Sequence, residues 1–130
     1  MQYSIEFEDP KAVPAAVEEL IRCVNAFRVQ GGLIWLNEKR QDTTVHKIPA
    51  GLNTLEEVND WMYRTHTPNF RKAFGTIAAD DHRIVVNASH ICGDGVFIAK
   101  LLEHLSKPSE YGKTHVAPIP LSAHEYFESA

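Results

Sequence analysis

The run Asn87-Ala88-Ser89-His90-Ile91-Cys92-Gly93-Asp94-Gly95-Val96 combines chemically useful side chains with a glycine-rich backbone. Imidazole titrates near neutral pH, so His90 can take a proton from a hydroxyl or amine as that group attacks a carbonyl. General-base help of this kind is commonly worth about 10²–10⁴ in rate. A histidine at a strand end is held by ladder hydrogen bonds, which aim its ring with little positional freedom. Gly93 and Gly95 permit a tight turn, and Asp94 can organise it by accepting backbone N–H bonds or an ion pair. Plainer roles stand beside these: Asp94 is where a helix N-cap belongs, and His90 can be a strand-end residue satisfied by neighbouring carbonyls. Cys92 is a weaker candidate, because one intervening residue in a tight loop gives poor geometry for an activated Cys-His pair.

Positioning such a loop takes a strand before it and a helix after it. Arg83 to Ser89 reads as that strand, with Ile84, Val86 and Ala88 on one face, and it pairs across Asp80-Asp81-His82 with Phe74 to Ala79. The helix begins after Asp94-Gly95, where Phe97, Leu101 and Leu105 share an apolar face and Lys100, Glu103 and His104 make the polar side. Upstream, Tyr3, Ile5 and Phe7 alternate with polar residues as a first strand, broken by Asp9-Pro10. Pro14 suits the first turn of a helix whose stripe, Val17, Leu20, Ile21, Val24 and Phe27, runs to Gly31-Gly32. Leu33 to Leu36 reads as a short apolar strand, Asn37 to Asp42 as a polar connection, and Thr43 to Ile48 as a further strand ended by Pro49-Ala50-Gly51. Thr54 and Glu57 form a capping box for a helix with Leu55, Val58, Trp61 and Met62 on its stripe, ending near Thr67-Pro68-Asn69. The expected class is α/β, a mixed sheet with helices packed on it, over residues 1–105. Residues 106–130, punctuated by Pro108, Pro118 and Pro120, read as a linker and C-terminal tail.

Composition narrows the function classes. With 130 residues, 44% apolar, the chain has the length of one domain and enough apolar content for a core. Thirteen basic against seventeen acidic residues, a net charge of −4 and no basic block argue against nucleic acid as a partner. No apolar run is long enough for a membrane span and the N-terminus lacks signal-peptide design, which points to a cytoplasmic protein. Cys23 and Cys92 cannot make a disulfide framework and read as reduced thiols. Asp80-Asp81-His82 reads as a hairpin turn rather than a metal site, since three consecutive residues rarely point at one centre. His46, His66, His104, His115 and His124 read as surface residues, and Trp35 and Trp61 as core.

Residues 83–95, followed by the helix to Leu105, resemble the His-x-x-x-Asp-Gly segment of the chloramphenicol acetyltransferase-like superfamily, which includes condensation domains and alcohol O-acetyltransferases. The approach Pro68-Asn69-Phe70-Arg71-Lys72-Ala73-Phe74 and the order strand, long helix, strand also look like that family. The specific part covers about a dozen residues, and the rest of the likeness is loose. It implies a half-domain in which His90 is the general base, Asp94 holds the loop, and Ser89 and Gly95 belong to the substrate channel. The reaction implied is acyl transfer from a coenzyme A or carrier-protein thioester to a small hydroxyl or amine acceptor. The thioester is a co-substrate, with no permanently bound cofactor and no metal. Many members have two consecutive histidines, and Ser89 stands where the first would be. Neither the Asp-Phe-Gly motif of the family's second half nor that half itself is present, so the expected partner is a second half-domain or another subunit that completes the tunnel. The competing expectation is a non-catalytic binding or assembly module of the same fold, and a third is a small metal-dependent protein.

Overall fold

The structure, a computed structural model, describes residues 1–31, 36–38, 43–89 and 95–113. A four-stranded sheet runs in the order β1 (Gln2–Glu6), β6 (Arg83–Ala88), β5 (Gly75–Ala79), β4 (Val45–Lys47). β6 is antiparallel to both β1 and β5, whereas β4 and β5 are parallel, so the sheet is mixed. Helices α1 (Ala12–Cys23) and α3 (Gly95–Leu105) cover one face and α2 (Leu55–Thr65) the other. This is the α/β class expected. All six residues of β6 are buried, as a central strand covered on both faces must be.

The period-two pattern of the strands divides the core in two. Ile84, Val86, Ile77 and Tyr3 meet Val13, Ala16, Val17 and Leu20 of α1 and Leu101 and Leu105 of α3. Val85 and Ala78 point the other way, onto Val58 and Met62 of α2, with Ile48 closing that side. Burying a side chain such as Leu20 contributes about 1.5–3 kcal/mol.

Several local expectations hold for visible reasons. The Thr54 hydroxyl accepts the Glu57 N–H at 3.1 Å, which caps α2. Asp80 Oδ1 accepts the N–H groups of His82 and Arg83 at 3.0 and 2.8 Å, closing the β5–β6 turn, while Asp80 Oδ2 takes Arg83 Nε at 2.8 Å. Pro14 lies in the first turn of α1, launched by Asp9, whose side chain accepts the Lys11 N–H at 3.0 Å. Gly51 adopts φ +95° in the turn before α2, a conformation side chains rarely take.

The structure departs from the expected elements in three places. α1 stops at Cys23 instead of continuing to Gly31, because Val24 is extended (ψ 117°) and a 3₁₀ turn, Asn25–Phe27, follows. Val24 and Phe27 remain in the core, so the apolar spacing continues past the helix that it imitates. Residues after the turn form a ribbon of β2 (Val29–Gly31) antiparallel to β3 (Leu36–Glu38). The expected strand Leu33 to Leu36 lies outside the described residues except for Leu36, and part of the expected polar connection is β3. Within the expected linker, Ser106–Lys113 turns back on the fold through a 3₁₀ turn at Pro108–Glu110, and Tyr111 Oη donates to the Leu105 carbonyl at 2.5 Å. The tail beyond residue 113 lies outside the described residues.

Close approach dictates one glycine. A Cβ on Gly75 would stand 2.9 Å from the Ala26 Cβ and 3.1 Å from Phe27 Cε1. Gly75→Ala is therefore expected to cost about 1–3 kcal/mol by overpacking. Urea denaturation of the variant checks this, and an unchanged midpoint would contradict the packing described.

Candidate functional site

β6 ends at Ala88 and α3 begins at Gly95, so the segment carrying His90 and Asp94 connects the central strand directly to a helix. His90, Cys92, Gly93 and Asp94 lie outside the described residues, while Ser89 and Gly95 mark the two ends of the connection. Ser89 is half-buried and its N–H donates to the Phe74 carbonyl at 2.9 Å, one step beyond the last β5–β6 pair, Gly75 with Ala88. On the other side, the N-terminal ammonium of Met1 donates to the Ala88 carbonyl at 2.9 Å and Ala88 N–H returns a bond to Met1 at 2.8 Å. Backbone bonds thus hold both edges of the strand through Ala88, and the β5 edge through Ser89, the position before His90.

Asn87 reinforces this end of β6. Its side chain is buried against α2, with Nδ2 donating to the carbonyls of Met62 at 3.1 Å and His66 at 3.3 Å. Both carbonyls lie at the C-terminal end of α2, and that of Met62 also accepts the His66 N–H at 3.0 Å. Next to Ser89 opens a shallow cleft of about 310 Å³ lined by Met1, Pro68, Phe70, Ala88 and Ser89. Phe70 is an exposed aromatic whose ring meets Phe74 edge-on at 5.0 Å. A cleft with an apolar wall at the end of a fully anchored strand can admit a small organic group and limit the approach of water.

Two ionisable clusters lie elsewhere, and the sequence reading missed both. Glu19, on α1, has a side chain only 2% exposed, and it accepts from Arg22 Nε at 2.6 Å, from Arg22 Nη2 at 3.1 Å and from the Gly112 N–H at 3.2 Å. His104 Nε2 lies 2.5 Å from Glu19 Oε2. Arg22 chiefly, with His104 and the Gly112 N–H, holds the Glu19 carboxyl at about 2 despite the opposing effect of burial. The second cluster is His46 and His66, whose rings stack with centroids 3.9 Å apart. His46, His66 and His104 are therefore half-buried and engaged, not the solvated residues expected from their surroundings in sequence. His115 and His124 lie outside the described residues.

The signal for Glu19 was available: it lies between Ala16 and Leu20 on the apolar side of α1, with Arg22 three residues on. The His46–His66 pair has no such local signal, since a strand and a helix end bring it together. Trp61 packs partly buried against the α2 core as expected, whereas Trp35 lies outside the described residues. Cys23 is a partly buried free thiol, pushed up by that burial. Among the described residues no three His, Cys, Asp or Glu side chains gather as a metal site, and no helix is long and apolar enough to cross a membrane. No protein-family model matches the sequence, and no curated protein matches it.

Proposed function

We propose that the chain is an acyltransferase half-domain of the chloramphenicol acetyltransferase-like kind, with His90 as general base and Asp94 as the carboxylate that shapes the loop. The observation that supports this reading is the setting of the His-x-x-x-Asp-Gly run, which starts at the anchored end of a buried central strand and finishes at the first residue of a helix. A base must be positioned within a fraction of an ångström, and a strand tied on both edges is a rigid mount.

In this scheme His90 takes the proton of the acceptor hydroxyl or amine as the acceptor attacks the thioester carbonyl carbon. The tetrahedral oxyanion collapses, the carbon–sulfur bond breaks, and the imidazolium returns the proton to the departing thiolate. Ser89 and Gly95 border the channel, and a second half-domain or another subunit supplies the opposite wall and donors for the oxyanion.

The test begins with the native mass and subunit composition of the protein taken from its source. That assembly is then incubated with acyl-coenzyme A and hydroxyl or amine acceptors while free thiol is followed. Thiol release that requires the acceptor is the expected result. An intact assembly that binds acyl-coenzyme A equally well with or without the His90 imidazole, and releases no acceptor-dependent thiol, would make the chain a binding module instead.

A further inference from the structure

A second cleft, of about 180 Å³, opens at the end of the sheet where β5 begins, and its lining includes His46, His66, Thr67, Asn69, Lys72 and Thr76. Three separate segments contribute: His46 comes from β4, His66 caps the C-terminus of α2, and Lys72 belongs to the turn before β5. The stacked rings of His46 and His66 are within 18° of parallel, and Trp61 meets His66 edge-on at 5.1 Å. The backbone beneath His66 is fixed, because its carbonyl accepts Thr76 Oγ1 at 2.5 Å and Asn87 Nδ2 at 3.3 Å.

The charge pattern of this lining is one-sided. Its titratable groups are His46, His66 and Lys72, all cationic when protonated, and no Asp or Glu lines it among the described residues. Near-parallel stacked imidazoles do not direct their lone pairs at a common centre, and no third ligand joins them among the described residues, which disfavours a metal. Clustered N–H and O–H donors with positive charge and no carboxylate complement an oxyanion.

We propose that this cleft is a proton-coupled binding site for a doubly charged oxyanion, a phosphate or sulfate group, with Lys72 and the imidazolium forms of His46 and His66 as its charged ligands. This inference rests on the cleft alone and is independent of acyl transfer. Burial first, and the neighbouring His66 second, hold His46 below the ordinary imidazole range. An anion between the cations removes the second penalty and offsets the first, so proton and anion bind better together than apart. Affinity must then rise as pH falls. A carboxylate carries one charge and leaves one more of the three cations unmatched than a dianion does, so it should bind less well.

Sulfate is the useful probe, because it stays a dianion throughout the range in which imidazole titrates. The full chain is titrated with sulfate at about pH 6 and about pH 7.5 while the imidazole signals of His46 and His66 are followed by NMR. The expected result is binding about tenfold or more tighter at the lower pH, with both midpoints raised by sulfate and acetate binding more weakly. Lys72→Met, an exposed substitution, should weaken sulfate binding about tenfold with an unchanged circular dichroism spectrum, and His46→Asn should lessen the pH dependence, leaving only the part that His66 carries. Inorganic phosphate that displaces sulfate would support a general oxyanion site. Equal affinity at both pH values, imidazole signals that ignore sulfate, or acetate binding as well as sulfate would each overturn the proposal. If His46→Asn fails to fold, the wild-type imidazole titration and Lys72→Met decide the matter without it.

Discussion

His90→Ala in the complete assembly is expected to lower acyl-transfer turnover by about 10²–10⁴ while leaving the affinity for acyl-coenzyme A within a few-fold. The imidazole is asked to act only as the acceptor attacks and the thiolate leaves, so its loss falls on the transition state and not on donor binding. Little stability should be lost with it, because the bonds that anchor this end of β6, from Ser89 N–H to Phe74 and between Met1 and Ala88, are backbone bonds. The acid limb of the pH–rate profile, which a base of this type imposes, should disappear in the variant. Asp94→Ala should differ in kind, reducing thermal stability together with rate, since a loop carboxylate acts through geometry. Steady-state kinetics and melting curves on the two variants separate these outcomes, and wild-type turnover in His90→Ala would show that the base lies elsewhere.

Glu19→Ala is expected to destabilise the fold by about 2–4 kcal/mol. Arg22 is one-third exposed and can turn to water, but His104 and the Gly112 N–H lose a buried acceptor, and the methylenes of Glu19 leave a gap in the core face of α1. Hydrogen exchange should locate part of the loss in residues 106–113, because Gly112 is joined to α1 only through this carboxylate among its described bonds. The same group governs acid sensitivity. Its folded-state pKa of about 2 lies below the ordinary 4.5, so its stabilisation is fully present above about pH 4.5 and is lost as pH falls toward 2. Wild-type protein should therefore lose stability across that window, and Glu19→Gln should lose correspondingly less. Urea midpoints measured from pH 7 down to pH 3 for both proteins provide the check, and parallel curves would show that Glu19 does not carry the acid response.

Legibility in the sequence followed the range of the interactions. Tyr3 and Ile5 alternate with polar neighbours, Thr54 and Glu57 form a cap within one turn, and Asp80 closes a hairpin on residues two and three away. Each structure is therefore written within a few positions. Val24 and Phe27 misled because their spacing suits a helix, yet what they satisfy is the core, and an extended Val24 places both there without one. The β2–β3 ribbon was missed because three-residue strands are too short to show a period. At the site, the strand-to-helix setting of the motif was legible, whereas the burial of both faces of its strand, polar Asn87 included, was not. The contacts of Asn87 with the end of α2 were not, since they link positions more than twenty residues apart. His46 and His66 illustrate the same limit, and His104 looked solvated because its partner, Glu19, lies 85 residues away.

The place of β1 has a consequence for how the chain is made. Its partners lie at the far end of the sheet's sequence, Gln2 opposite Asn87 and Glu6 opposite Arg83. On a ribosome adding roughly 5–20 residues per second, the first strand is out for several seconds before its partner exists. Through that interval α1 also displays Val13, Val17 and Leu20 with no sheet to cover them. β1 must thus wait for its partner, and docking it beside β6 closes a long loop late in folding. The nascent chain is most open to chaperones, or to mispairing with a neighbour, before residue 88 has emerged.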